Sequence, residues 1–222
     1  MERTNLKDLL KKKNPYLFKA KNVTTANELV QSFLDAKLSS SEEEIIGAFL
    51  EELAIFVAEK KLNAQKASSS GIDFQYVEGD TAYAVSVKSG LNWGNSSQWK
   101  ALEVDFKRVG QVLRQSRRIK HIEYILGVSY GNAPTMIKRG FIKQIAGQNF
   151  WYMLSGNKSF YKDMIEPIGY KAEELNRQFE KKKTSLVSKL TKEFSKDFCD
   201  KDGTILWGKL VEFNSGNFGK KK

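Results

Sequence analysis

The chain has very few residues of the kinds that build disulfides and zinc centres. Among its 222 residues are one cysteine, Cys199, and one histidine, His121. A single cysteine excludes an internal disulfide, and the two residues together are too small a ligand set for a Cys/His zinc site. Any catalytic metal is therefore expected to bind oxygen ligands, which suits Mg²⁺.

Long apolar runs are also missing. No run approaches the roughly 20 residues that a membrane-spanning helix needs, and residues 1–18 lack the apolar core of a secretory signal. The composition, 41% hydrophobic and 12% aromatic, is nevertheless sufficient for a sizeable buried core. We therefore expect a folded cytoplasmic protein with no membrane partner.

Acidic residues are too few to balance the basic ones. The chain has 37 lysines and arginines against 26 aspartates and glutamates, which gives a formal net charge of +11. An excess of this size attracts polyanions through their phosphates, and a membrane surface is disfavoured by the missing apolar runs. The composition therefore favours a nucleic-acid partner.

The hydrophobic pattern is helical at first and changes to a period of two after residue 70. Helices are predicted over residues 4–13, 24–37, 39–62, 98–117 and most of 150–198. Strands are predicted over 72–77, 81–88 and 122–130, and a short strand or helical turn over 141–145. The helix over 39–62 begins at a run of serines, and its predicted buried stripe consists of Ile45, Phe49, Leu53, Phe56 and Val57.

The most informative feature is the hairpin formed by the first two strands. Asp73 lies near the start of one strand and Lys88 ends the next, so a turn at residues 78–80 brings carboxylate and ammonium to one end of the sheet. Ser86 shares the face of Lys88 because strand residues two apart point the same way. Phosphodiester cleavage needs a ligand for a divalent metal and positive charge against the charge developing on phosphorus. Asp73 and Lys88 supply both, although either one alone is more often a solvated surface residue.

These residues and their order resemble the PD-(D/E)XK nuclease core, in which a helix precedes a hairpin that carries an aspartate and then an acidic-X-lysine triplet. More narrowly, the chain is similar to type II restriction endonucleases of the PmeII and AvaII kind. The segments that carry this similarity are Asn14-Pro15-Tyr16-Leu17-Phe18, Phe49-Leu50-Glu51, Gly71-Ile72-Asp73, Val87-Lys88-Ser89-Gly90, Asn92-Trp93-Gly94-Asn95-Ser96-Ser97-Gln98 and Trp207 to Ser215.

The resemblance implies an α/β fold with a mixed central sheet flanked by helices and with additional helices at both termini. We expect a single nuclease domain over residues 1–222, with the core at about 41–150 and helical additions at 1–40 and 151–222. It further implies a homodimer that cuts double-stranded DNA with Mg²⁺, in a cell that also holds a cognate DNA methyltransferase. The helical additions either build the dimer contact or simply pack on the core.

One position departs from the family pattern. The first position of the acidic-X-lysine triplet is Ser86, a poor metal ligand without the usual negative charge. Some enzymes of the superfamily place the missing carboxylate elsewhere, so we rank Glu51 and Glu52 on the preceding helix first and Glu103 on the following helix next. Asp105 is a further candidate, and at least two of these four are expected to lie on solvated helix faces.

DNA contacts are expected from the helix and the loop that follow the hairpin. Basic side chains suited to phosphates are Lys100, Lys107, Arg108 and Arg114. A charged, solvated helix face is the alternative for each of them. Amides and hydroxyls suited to base edges or phosphates are Asn92, Asn95, Ser96, Ser97 and Gln98. The alternative is that this loop is internally hydrogen-bonded and positions Lys88.

Three functions are consistent with the sequence. The first is a type II restriction endonuclease that hydrolyses both strands at a specific site and leaves 5′-phosphates. The second is a repair or junction-resolving nuclease with the same core, and the third is a DNA-binding relative that has lost catalysis, as Ser86 suggests.

Overall fold

The computed structural model describes residues 5–67, 70–169 and 172–217. It confirms the predicted α/β fold with a mixed central sheet, flanking helices and additional helices at both ends. The chain divides into two compact units: a terminal unit from residues up to 43 and from 170 onward, and a central unit of residues 44–169. The expectation of a single domain stays a prediction.

The central unit contains a six-stranded sheet. Its strands are β1 (Gln65–Lys66), β2 (Phe74–Glu78), β3 (Thr81–Lys88), β4 (His121–Val128), β5 (Met136–Lys138) and β6 (Ile142–Ala146), in the spatial order β1-β2-β3-β4-β6-β5. The strands β2 and β3 form the predicted antiparallel hairpin. The strands β3, β4 and β6 are parallel, and their register pairs Lys88 with Val128 and Val128 with Ala146. The carboxyl ends of all three strands therefore meet at one edge of the sheet.

Helices cover both faces of this sheet. They are the later part of α3 (Ala26–Leu62), α4 (Ser96–Leu113), α5 (Gln148–Ser155), α6 (Phe160–Asp163) and α7 (Ile165–Gly169). On one face, Leu50 and Ala54 of α3 share a buried core with Val87 of β3 and Trp151 of α5. The opposite face packs against α4. Because α4 connects the parallel strands β3 and β4, it runs from the carboxyl edge of the sheet back to the amino edge.

The terminal unit is helical and has its own core. It contains α1 (Leu6–Lys12), α2 (Pro15–Ala20), the first part of α3, α8 (Ala172–Phe198) and α9 (Trp207–Ser215). Leu10 and Phe33 from the early segment are buried together with Phe194 and Leu210 from the late one. The side-chain amide of Asn214 donates to the Leu10 carbonyl at 2.6 Å. The early and late helical segments thus bury apolar residues against each other.

Among the residues that the structure describes, every helix is too short or too polar to span a membrane.

The predicted break between two early helices is wrong. The helix α3 runs without interruption from Ala26 to Leu62. The Ser40 hydroxyl donates to the Ala36 carbonyl at 3.0 Å, and the Ser41 hydroxyl to the Lys37 carbonyl at 3.2 Å. Both hydroxyls therefore bond back to the preceding turn and do not cap the amides of a new helix.

The predicted buried stripe of α3 is wrong at three of its five positions, since Ile45, Phe49 and Phe56 are 67%, 42% and 55% exposed. Val57 is buried as predicted, and Leu53 packs partly buried against the same core. The rest of the buried face consists of Leu50, Ala54 and Ala58. Small alanine side chains allow this helix to approach the sheet closely, and the larger apolar residues remain outside.

Candidate active site

Asp73 is held at the carboxyl edge of the sheet by the strand beside it. Its backbone amide donates to the Val85 carbonyl at 3.0 Å. Its Oδ2 accepts the Val87 amide at 2.6 Å and the Ser86 hydroxyl at 3.2 Å. The regular pairing of β2 with β3 ends at Phe74, so the carboxylate takes over the amide that a longer β2 would have bonded. Oδ1 accepts no hydrogen bond from the described residues.

Lys88 lies half-buried at the end of β3, next to Asp73. Its Nζ donates to the Val87 carbonyl at 2.7 Å and lies 5.7 Å from the ring centroid of Trp93. The side chains of Asp73 and Lys88 therefore both bond the backbone of Val87, Asp73 at its amide and Lys88 at its carbonyl. The indole of Trp93 forms part of the wall under the ammonium.

Glu51 reaches the same place from α3. A side chain added at Gly47, one turn earlier on the same face, would lie 3.6 Å from the Ser89 side chain, so α3 passes directly beside the end of β3. Burial raises the pKa of the Glu51 carboxyl above its usual value. The negative charge of Asp73 raises this pKa further, and the Lys88 ammonium lowers it. The Glu51 carboxylate therefore interacts with both members of the predicted pair.

The other candidate carboxylates are differently placed. Glu52 is exposed on α3. Glu103 on α4 forms an ion pair with Arg139, with 3.4 Å between its Oε1 and the arginine Nε. Asp105 pairs with Arg108 at 3.3 Å. The Glu51 carboxyl, by contrast, is influenced by the charges of both Asp73 and Lys88.

The donor set is compatible with a hard divalent cation. The described part of the chain contains no group of three or more His, Cys, Asp or Glu side chains arranged to hold a metal. Mg²⁺, however, usually binds through one or two carboxylates together with waters and substrate phosphates. The two carboxylates of Asp73 and Glu51 fit that pattern, because a cation bound between them would offset the negative charge of Asp73 that raises the pKa of Glu51.

The loop before α4 is mostly engaged with itself. Asn95 Oδ1 accepts the amides of Ser97 and Gln98, both at 3.0 Å, and Gln98 Oε1 accepts the Asn95 amide at 2.9 Å. This reciprocal pair is a capping box at the start of α4. The side chains of Asn92, Ser96 and Ser97 are exposed. Two of the five polar candidates for DNA contact, Asn95 and Gln98, therefore already have internal partners.

The basic residues of α4 are distributed along its whole length. Lys100 is exposed near the carboxyl edge of the sheet. Lys107 lies over the Phe141 ring at 5.8 Å, and Arg114 Nη2 lies 3.5 Å from the Tyr124 hydroxyl. An 18-residue helix spans about 27 Å, so Arg114 lies toward the edge of the sheet opposite Lys88.

Sequence reasoning missed the residues that follow β4 and β6 at the carboxyl edge of the sheet. The Ser129 amide donates to the Lys88 carbonyl at 2.8 Å, and the Tyr130 amide to the Ser89 carbonyl at 2.9 Å. Gly147 follows β6 at the same edge, with its amide 2.9 Å from the Val128 carbonyl. The signal was the parallel order of β3, β4 and β6, which aligns their carboxyl ends but cannot be read from each strand alone.

Comparison with known proteins adds the family. A family model described as type II restriction endonuclease EcoO109I matches residues 1–176. The match includes Glu51, Asp73 and Lys88. No curated protein matches the chain. Since the family model covers more than half of the chain, the protein belongs to the EcoO109I family of type II restriction endonucleases.

Proposed function

We propose that this endonuclease hydrolyses both strands of DNA at a specific site in a Mg²⁺-dependent reaction that leaves 5′-phosphate ends. The single observation that carries the proposal is the meeting of Glu51, Asp73 and Lys88 at the carboxyl edge of β3. Glu51 supplies there the second carboxylate that Ser86 lacks. The similarity to PmeII and AvaII enzymes stays a prediction.

The residues of the chain have separate roles in this centre. Asp73 and Glu51 would hold the cation. Ser86 and the Val87 amide fix one oxygen of Asp73, so the other oxygen faces the site without rotational freedom. Lys88, held beside Trp93 and the Val87 carbonyl, provides positive charge for the scissile phosphate.

When bound, Mg²⁺ supplies an activated water and neutralises charge on the phosphate. Everything else in this centre is electrostatic preorganisation by the protein. The half-buried setting of Glu51 and Lys88 strengthens their interactions with a phosphate relative to fully solvated groups. Glu103 does not belong to the centre in this proposal, since its carboxylate pairs with Arg139.

Cleavage of both strands is further proposed to require a homodimer, because one centre faces one scissile phosphate at a time. The exposed apolar residues of α3, Ile45, Phe49 and Phe56, are the support for a second copy. The protein is expected to act in the cytoplasm of a cell whose own DNA is protected by a methyltransferase, which is not itself a bound partner.

The test is incubation of the full chain with plasmid DNA and Mg²⁺, followed by sequencing of the ends. We expect discrete fragments with one recurring end sequence, and a loss of about 100- to 1000-fold in cleavage rate for Lys88→Ala and Asp73→Ala. Lys61→Ala, at the exposed end of α3, serves as the matched control and should cut at the wild-type rate. Nicks that follow DNA structure would indicate a repair or junction-resolving nuclease, and an intact plasmid an inactive DNA-binding relative.

A further inference from the structure

The helix α5 begins at the carboxyl edge of the sheet without a side-chain cap. Its N-cap residue is Gly147, with φ of 53° and no capping hydrogen bond from a side chain. The first amide to bond within the helix is that of Trp151, which donates to the Gly147 carbonyl at 3.1 Å. The amides of residues 148–150 therefore have no partner in the helix and carry the positive end of its dipole.

These amides border an open cleft of about 600 Å³, here named the β4–β6 cleft. Its polar lining includes Ser129, Asn132, Gln148 and Asn149. None of the described residues that line it is acidic. The side chains of Asn132 and Asn149 are exposed, and no described residue hydrogen-bonds them. The cleft thus offers neutral donors and no charge that would repel an anion.

Ser129 provides an independent indication of a ligand. It is 4% exposed, and its Oγ has no hydrogen-bond partner among the described residues. Its backbone is fully engaged, because the amide donates to Lys88 and the carbonyl accepts the Trp151 indole N–H at 2.8 Å. Unpartnered buried hydroxyls are rare in native proteins. An anion oxygen at the mouth of α5 would give this hydroxyl an acceptor.

The cleft lies close to the proposed catalytic residues. In the sheet register Lys88 pairs with Val128, and Val128 with Ala146. Two strand spacings amount to about 10 Å, and a DNA strand carries a phosphate at roughly every 3.4 Å of helix axis. A phosphate within a few nucleotides of the one at Lys88 can therefore reach the start of α5.

The shape of the cleft is fixed by close contact between the backbone segments that follow β4 and β6. A Cβ added at Gly147 would lie 2.6 Å from the Gly131 carbonyl oxygen, so the segments after β4 and β6 touch where only glycine fits. Both glycines have positive φ, 53° and 122°. The free amides of α5 are consequently held in one position by the sheet edge.

We propose that the β4–β6 cleft binds a backbone phosphate of the DNA strand near the scissile one, through the first amides of α5 and the side chains of Ser129 and Asn149. This inference rests on the proposed function, since it places the substrate of that same site. It assigns positioning of DNA to the segments after β4 and β6, which nothing in the sequence pattern had indicated.

The test compares two asparagine-to-aspartate variants at the second residue of a helix. Asn149→Asp adds a carboxylate at the start of α5, and Asn27→Asp makes the same change at the start of α3 in the terminal unit. An acidic residue at this position favours the helix, so both variants should fold. Affinity for a short duplex is measured without Mg²⁺ over a series of KCl concentrations.

We expect Asn149→Asp to weaken binding about tenfold and to reduce the slope of log affinity against log salt by about 0.9, the value of one phosphate contact. Asn27→Asp should keep the wild-type slope. Ser129→Ala is expected to weaken binding severalfold, with a melting temperature at or above that of the wild type because an unpartnered hydroxyl is removed.

Coinciding slopes for Asn149→Asp, Asn27→Asp and the wild type would overturn the cleft assignment while leaving DNA cleavage intact. A wild-type protein that binds no duplex at all would overturn the proposed function together with it. Inorganic phosphate is the second probe. If it stabilises the wild type against heating but not Asn149→Asp, while duplex binding has the same slope in both, the cleft binds free anions and the inference fails.

Discussion

At the scale of single residues, the centre is organised by Val87. Its amide, in the peptide group with Ser86, bonds Asp73, and its carbonyl, in the next peptide group, bonds Lys88. Both peptide groups are fixed by the place of Val87 in the sheet, where it pairs with Gly127 of β4. Neither side chain has to be ordered separately when DNA arrives. Glu51 is positioned differently, because it lies on α3 and not on the hairpin, and the negative charge of Asp73 acts on its carboxyl group.

The raised pKa of Glu51 predicts that this residue lowers the stability of the metal-free protein although the proposed function requires it. A carboxyl whose pKa is higher in the folded than in the unfolded state binds protons more tightly when folded, so its contribution to stability falls as pH rises through that window. At neutral pH Glu51 therefore destabilises the metal-free protein. Glu51→Gln should raise the melting temperature measured in EDTA at pH 7. It should also make the melting temperature vary less with pH in the acid range, and it should abolish the stabilisation by Mg²⁺.

The matched control for this variant is Glu59→Gln at an exposed position of the same helix, whose charge is not among those that shift the pKa of Glu51. It should leave both the melting temperature in EDTA and the effect of Mg²⁺ as in the wild type. A Glu51→Gln protein that melts lower than the wild type in EDTA, or that still gains stability from Mg²⁺ to the same extent, would contradict the assignment.

The part of this centre that could be predicted from the sequence is the part formed by residues close together in the chain. Asp73 and Lys88 belong to one hairpin, whose register follows from a short turn, so their proximity could be predicted from spacing. Glu51 was one of several candidates because its position depends on how α3 packs on the sheet. The capping box of Asn95 and Gln98 was readable in the sequence, since a polar cap followed three residues later by Gln is its signature.

At the scale of secondary-structure elements, the capping box at the start of α4 predicts a measurable contribution to stability. Asn95→Ala removes the cap of α4 and should lower the free energy of unfolding by about 1 kcal/mol. Asn92→Ala, at an exposed position in the same loop, should leave that free energy unchanged. Urea denaturation of both variants measures the difference, and equal stabilities would show that the capping box contributes nothing.

The helix α3 shows why an apolar pattern alone can misassign a face. Apolar residues occur all round its later half, so several stripes satisfy a period of 3.6 equally well. The observed core face uses Ala54 and Ala58, which a search for large apolar residues passes over. Which stripe is buried is decided by the partner surface, and that information is absent from the helix sequence.

At the scale of the whole molecule, the exposed apolar residues of α3, Ile45, Phe49 and Phe56, predict a dimer. Phe56 is 55% exposed in the central unit, and the proposed cleavage of two strands needs two centres. Phe56→Asp should therefore convert a dimer into a monomer, seen by light scattering on a sizing column, and slow the cutting of the second strand. Val104→Asp, 53% exposed on α4, is the matched control and should remain dimeric. A wild-type monomer that still cuts both strands together would refute this prediction.

The terminal unit has a consequence for biosynthesis. Its core joins Leu10 and Phe33 to Phe194 and Leu210, so it needs segments that lie on both sides of residues 44–169. A ribosome adds roughly 5–20 residues per second. The apolar faces of the early helices therefore stay exposed for on the order of ten seconds, until the late helices are synthesised. Residues 44–169, which form the central unit, are synthesised during that interval. Nascent chains should consequently engage chaperones through their first helices, while the β2–β3 hairpin can already fold within the central unit.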